Sequence, residues 1–307
     1  MQHEVEVEPG VTVWVEDLPA ADGAVPAAPM LLVAGADETG LGRWPDPLVD
    51  RLRTRHRVVR YDHRDTGRSA HRFDERPYRL ADLAADALRV LDACGIDRVH
   101  AVGAALGGEL VQLLALDHPD RLVSAALLAT TPLETAPQGT TAAGPSGGGL
   151  PGPAREILRM RQELHDPRDE RGELAWRVEF RRRLCGTVLP FDRAEHAALE
   201  RAVMAHSGRV EPSTAHTTEA DPAGLDRGAE LGRITVPTLV VEGPEDPVHP
   251  PPHARLLAGR IGAAARPATV DGMGHLLPAV VHGPVAALLL EHAAGAGVPQ
   301  AAQPTQR

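Results

Sequence analysis

Val99-His100-Ala101-Val102-Gly103-Ala104-Ala105-Leu106-Gly107-Gly108 is the stretch that decides the fold. An apolar run of strand length passes straight into a helical pattern over Gly107 to Asp117. Only small residues stand at the join, as a sharp strand-to-helix turn requires when two backbones meet at close range. Upstream, Pro29 to Gly35 is a short apolar run, the pattern of a strand buried on both faces. His56 to Asp62 gives another strand, with a helix between them near Pro47 to Arg53. Leu80 to Ala93 carries apolar residues at helical spacing, and Gly95 stands where a helix stop belongs. Val11 to Val15 alternates like an edge strand, and Leu122 to Ala129 reads as one more strand. Strands alternating with helices predict a mostly parallel sheet with helices on both faces.

The alternation then breaks. Residues 136–153 have the Gly, Pro, Thr and Ala content of a loop, and residues 154–204 read as helical throughout. Arg181-Arg182-Arg183 reads there as a solvated helix face. Strand character resumes at Thr235 to Glu242, and a last helix spans Val280 to Ala293. The expected division is therefore a core of residues 1–132 and 233–295, a helical cap inserted at 133–232, and a disordered tail at 296–307.

Composition narrows the function. The chain has 307 residues, 43% of them apolar, enough for a sizeable core. Its net charge of −10, with scattered arginines and no lysine, excludes a nucleic-acid partner, which needs a basic patch. Cys94 and Cys185 offer neither a disulfide framework nor metal-ligand spacing. His249 and His253 are separated by prolines in no zinc pattern, so no metal and no cofactor are expected. No basic-then-apolar leader opens the chain, and no run approaches the ~20 apolar residues of a bilayer span. A cytoplasmic monomer or homodimer, without a membrane partner, is the expectation.

Three features fall at strand ends, where doubly wound sheets place their ligands. They are Gly103-Ala104-Ala105-Leu106-Gly107, then Glu245-Asp246-Pro247, then Gly272-Met273-Gly274-His275. Nucleophile, acid and histidine in that chain order mark an α/β-hydrolase fold, whose elbow reads G-x-S-x-G. Here the nucleophile position holds Ala105. The remaining serines, Ser69, Ser124, Ser146, Ser207 and Ser213, lie on no such turn.

Nearly the whole chain, to about residue 293, resembles the aclacinomycin methylesterase family, which tailors anthracycline-type aromatic polyketides. The likeness rests on Tyr61-Asp62-His63-Arg64-Asp65-Thr66-Gly67-Arg68-Ser69, on Ala115-Leu116-Asp117-His118-Pro119-Asp120-Arg121-Leu122, on Cys185 to Asp192, and on Gly272-Met273-Gly274-His275. It implies a cap that closes over a flat polycyclic substrate. It also implies acid and histidine roles for Asp246 and His275, and an oxyanion hole from the N–H groups of Ala36 and Leu106. Gly35, Asp37 and His216 are expected at the substrate pocket. Glu109, one helical turn past Ala105, is a candidate acid near the pocket floor, where the family tends to have a smaller residue. His63 reads as structural.

An alanine methyl attacks no carbonyl. The expected reaction is therefore cofactor-independent acid–base chemistry on a small aromatic substrate: C–C bond formation, cyclisation, elimination or decarboxylation. A carboxylic methyl ester hydrolase carrying an inactivating Ser-to-Ala change is the second reading. A non-catalytic carrier of an aromatic intermediate is the third.

Overall fold

The computed structural model describes residues 1–24, 27–134 and 149–296. The strands are β1 (Gln2–Glu8), β2 (Val11–Leu18), β3 (Met30–Val33), β4 (Val58–Tyr61), β5 (Val99–Ala104), β6 (Leu122–Leu128), β7 (Thr238–Glu242) and β8 (Ala265–Thr269). The helices are α1 (Gly40–Arg43), α2 (Asp46–Arg53), α3 (Asp82–Ala93), α4 (Leu106–Asp117), α5 (Arg155–Gln162), α6 (Glu170–Leu184), α7 (Arg193–Ser207), α8 (Ala215–Thr218), α9 (His253–Ile261) and α10 (Ala279–Ala296). The eight strands form one sheet in the order β1-β2-β4-β3-β5-β6-β7-β8. β1, β2 and β4 pair antiparallel, and every other pairing is parallel.

The mostly parallel α/β sheet read from the sequence is what the chain forms. The expected edge strand is a correction: Val11–Leu18 lies inside the sheet, paired on one side by β1, which takes the edge. β8 and α9 also went unread, because Ala265-Arg266-Pro267-Ala268-Thr269 shows neither alternation nor an apolar run. The expected loop falls largely, and the expected tail beyond Ala296 wholly, outside the described residues; Ala296 itself closes α10.

Side-chain alternation on the central strands builds two cores. Leu31 and Val33 face a cluster with Val59, Leu110 and Leu114. Met30 and Leu32 face the other side, with Val58, Val102, Leu48 and Leu289. α10 has the length and composition to cross a bilayer. It packs here as a core helix, burying Val281, Val285, Leu289 and Ala293 against α2 and β6.

β3 is hydrogen-bonded to both β4 and β5. The chain leaves β3 toward one side and returns on the other, so a crevice opens beyond the carboxyl ends of β3 and β5. The turn after β4 is fixed beside it by Arg64, whose guanidinium grips both oxygens of buried Asp86 on α3 at 2.6 Å. Asp65 accepts the N–H groups of Arg72 and Phe73, and His63 Nε2 bonds Ala34 O at 3.1 Å, a structural placement.

The β5–α4 turn leaves no room for side chains. A Cβ on Gly103 would stand 2.1 Å from Gly107 O, and one on Gly107 would stand 2.3 Å from Val33 O. Both contacts are with backbone, which cannot rotate away. Gly103→Ala is expected to destabilise the protein by about 3 kcal/mol or more, the upper range for overpacking. Thermal denaturation checks this, and a melting temperature equal to wild type would contradict it.

Candidate active site

Ala105 holds φ 51° and ψ −122°, a backbone conformation costly for any residue with a Cβ. The neighbours impose it. Ala105 N–H donates to Leu128 O at 3.1 Å, while its carbonyl accepts from Gly108 N–H and from Thr130 Oγ1 at 2.7 Å. This geometry points the Ala105 methyl into the crevice and starts α4 there. Leu106, first residue of that helix, has an N–H with no helical acceptor. Ala36, beyond β3, presents another N–H, and neither donates to any group among the described residues. Both residues line the same cavity as Ala105.

Asp246 follows β7 and His275 follows β8. His275 Nδ1 lies 3.0 Å from each carboxylate oxygen of Asp246. A carboxylate only accepts, so Nδ1 carries the proton and Nε2 keeps its lone pair for the cavity. Asp246 also accepts the N–H groups of Val248 and His249. Burial opposes its ionisation, but the adjacent His275 ring and the His249 N–H outweigh that and hold the carboxyl well below the usual range. His275 is braced from the insertion: its N–H donates to Leu184 O, and Gly274 packs against the Cys185 backbone so closely that a Cβ would stand 2.5 Å away.

The cavity has a volume of about 850 Å³, within the range of pockets that enclose drug-sized ligands. Ala36, Ala105, Leu106 and His275 form its floor, and Trp176, Phe180 and Leu184 of α6 lie among its other walls. Trp176 and Phe180 stack with centroids 5.3 Å apart, a flat apolar platform. Glu109 lines the cavity one turn along α4, and burial alone pushes its carboxyl up to about 8. It is therefore protonated near neutral pH.

Asp37 lines the cavity, but Gly35 and His216 stand behind the wall. His216 is buried and fully engaged: its Nδ1 accepts from Asp37 N–H and its Nε2 donates to Arg64 O. The Asp37 carboxylate accepts the N–H groups of His216 and Thr217. This pair fastens the loop after β3 to α8. Arg181 departs from its expected solvated face, being largely withdrawn from solvent in an ion pair with Glu200 on the cavity wall. Arg182 and Arg183 pair with Glu179 outside.

Of the cavity residues that escaped the sequence reading, three bear on its chemistry. Glu38 Oε2 accepts from Gly35 N–H at 3.0 Å. A Cβ on Gly35 would be 2.3 Å from that oxygen and 3.3 Å from Ala105 Cβ, so the carboxylate flanks the elbow. His249 stands with its ring 5.6 Å from that of His275, and burial lowers its pKa to about 3. Arg161 reaches the cavity from α5. For His249 the signal was present, three residues past Asp246; the other two lie on a loop and a helix without a motif.

Rhodomycin D methylesterase DauP of Streptomyces sp. (strain C5) is 42% identical to this chain over 299 residues, covering 94% of this chain and 97% of DauP. Rhodomycin D methylesterase DnrP of Streptomyces peucetius is 42% identical over 300 residues, with the same coverage. Among solved structures, a hydrolase from Pseudomonas aeruginosa superimposes with a TM-score of 0.67 at 25% identity, over 95% of this chain and 97% of that one. The meta-cleavage product hydrolase CumD of Pseudomonas fluorescens gives a TM-score of 0.72 at 18% identity, a likeness of fold, over 96% of this chain and 98% of that one. The alpha/beta hydrolase fold family matches residues 29–279, and with these relatives the chain belongs to that family, in its methylesterase-like branch.

Proposed function

We propose that this protein is a tailoring enzyme for anthracycline-type aromatic polyketides that works by acid–base chemistry without a covalent serine intermediate. One observation carries the reading: a complete His275–Asp246 pair, 3.0 Å apart, shares one cavity with a methyl group on a fully formed elbow. His275 Nε2 takes a proton from a carbon acid or phenol of the substrate. The electron pair moves to the substrate's carbonyl oxygen, and the N–H groups of Ala36 and Leu106 receive the resulting oxyanion. Each such donor lowers a barrier by roughly 3–4 kcal/mol, and a positioned base adds about 10²–10⁴-fold. The imidazolium, stabilised by Asp246, then returns the proton. In an isomerisation it goes to a new carbon, and in a cyclisation to the alkoxide formed when the enolate carbon attacks a second carbonyl. In an elimination it goes to a departing hydroxyl that leaves as water. In a decarboxylation the first proton comes from a β-keto acid, which loses CO2 to the same oxyanion before carbon is protonated. Protonated Glu109 is a second donor on the same floor. Residues 149–232 act in this reading as the cap over a flat substrate, with Trp176 and Phe180 as its stacking surface.

Methyl ester hydrolysis is the second reading, favoured by the 42% identity to two rhodomycin D methylesterases over nearly the whole chain. In that reaction His275 deprotonates a water, which attacks the ester carbonyl directly. The oxyanion collapses and expels methanol, with no acyl-enzyme.

Incubation with an anthraquinone or anthracycline carboxylic methyl ester, followed by mass analysis, separates the two. The proposal expects a rearranged product that keeps its methyl ester and releases no methanol, and at least ~10²-fold slower turnover in His275→Ala. Stoichiometric methanol from wild type would replace it with the second reading. Ala105→Ser is expected to introduce methyl ester hydrolysis through an acyl-enzyme detectable by mass, because the elbow, the histidine and the N–H pair already stand in place.

Glu109 gives a separate check through stability. Below about pH 4.5 both folded and unfolded chains carry its proton, and its burial as a neutral acid is tolerated. As pH rises toward about 8 the unfolded chain ionises while the folded chain resists, so stability falls across that window. Glu109→Gln is expected to remove this loss, gaining a few kcal/mol on wild type between pH 5 and pH 9 in thermal denaturation. Parallel pH profiles for the two proteins would refute the burial argument.

A further inference from the structure

Arg161, Arg177 and Arg181 line the cavity. Arg177 pairs with Glu173 and Glu200, and Arg181 pairs with Glu200. Arg161 has no ion pair among the described residues. Burial disfavours its charge, and the more distant Asp37 offsets this only in part. Asp37 is itself occupied by the N–H groups of His216 and Thr217. The charge of Arg161 is felt by His249, whose ring is 5.6 Å from His275. An unpaired guanidinium in a partly desolvated wall is costly unless an anion completes it, and its planar fork matches a carboxylate with two parallel hydrogen bonds.

We propose that Arg161 is the receptor for a free carboxylate on the aromatic ligand, which places that carboxylate at the His249–His275 end of the cavity. This rests on the aromatic-ligand reading above and refines its substrate class. The polycycle lies along Trp176 and Phe180, and the carboxylate meets the guanidinium. A methyl ester is neutral and offers Arg161 no charge to pair with.

Anthraquinone-2-carboxylate and its methyl ester, titrated separately into the purified protein by calorimetry, provide the test, with the ester recovered and checked as intact. Wild type is expected to bind the acid at least tenfold more tightly than the ester. Arg161→Gln is expected to lose at least tenfold for the acid and to stay within twofold for the ester, with partial recovery in Arg161→Lys. Equal affinities in wild type, or equal losses for both ligands in Arg161→Gln, would overturn the assignment while leaving the aromatic cavity standing. Binding of neither ligand to a folded wild-type protein would overturn both.

Discussion

Position 105 holds a left-handed backbone with a side chain on it, and the rest of the site is arranged around that one turn. Such a conformation costs roughly 1–3 kcal/mol and persists only where neighbours over-determine it. Here the neighbours are Leu128 O, Thr130 Oγ1 and Gly108 N–H on the Ala105 peptide groups, with Gly103 and Gly107 permitting the close approach. In a hydrolase that strain exposes a nucleophile. With alanine it exposes a methyl, so what the turn still does is aim the Leu106 N–H and set the floor of the cavity. A strained turn retained around an inert side chain makes sense when the donors and the floor matter more than the residue between them.

The histidine depends on the insertion as much as on the core. Asp246 holds the ring, but the His275 backbone is carried by Leu184 O at the end of α6, and Gly274 meets Cys185. α6 is tied in turn to α7 through Glu200, shared by Arg177 and Arg181, and Arg181 reaches the carbonyl of Gly42 in α1. His206 at the end of α7 bonds the buried carboxylate of Asp62 at 2.7 Å. Helices that wall the cavity thus hold the His275 ring in place, so movement of these helices would be felt at Nε2.

The fold was legible because its signals are local. Apolar runs, helical spacing and the glycine-flanked turn each lie within about a dozen residues, and they placed Ala105 and Asp246 after strands; His275 was found by its motif and its order in the chain. What was missed has a common cause. β8 is short and exposed and carries a proline, so no periodicity marks it. Arg161, Glu38 and the true setting of Arg181 depend on how the insertion docks, which no spacing in the chain encodes. His216 was expected at the substrate pocket, and no spacing in the chain shows what its ring meets. Its two ring nitrogens instead bond backbone from two separate loops.

The charges in the cavity sort into two kinds. Glu200 is neutralised by two arginines, and Asp37 receives two backbone N–H groups. Those groups are satisfied and need no ligand. Glu109 and Arg161 are not: among the described residues, one is kept neutral by burial with no cation paired to it, and the other is a cation with no paired anion. Paired with each other they would cancel and the cavity would be chemically quiet. Held apart on α4 and α5, each carries its own burial cost, and together they supply a donor at the floor and a positive charge on the wall. Costs of that kind accumulate where a ligand relieves them. A cavity that only excluded water would have been stabler with both replaced by apolar side chains.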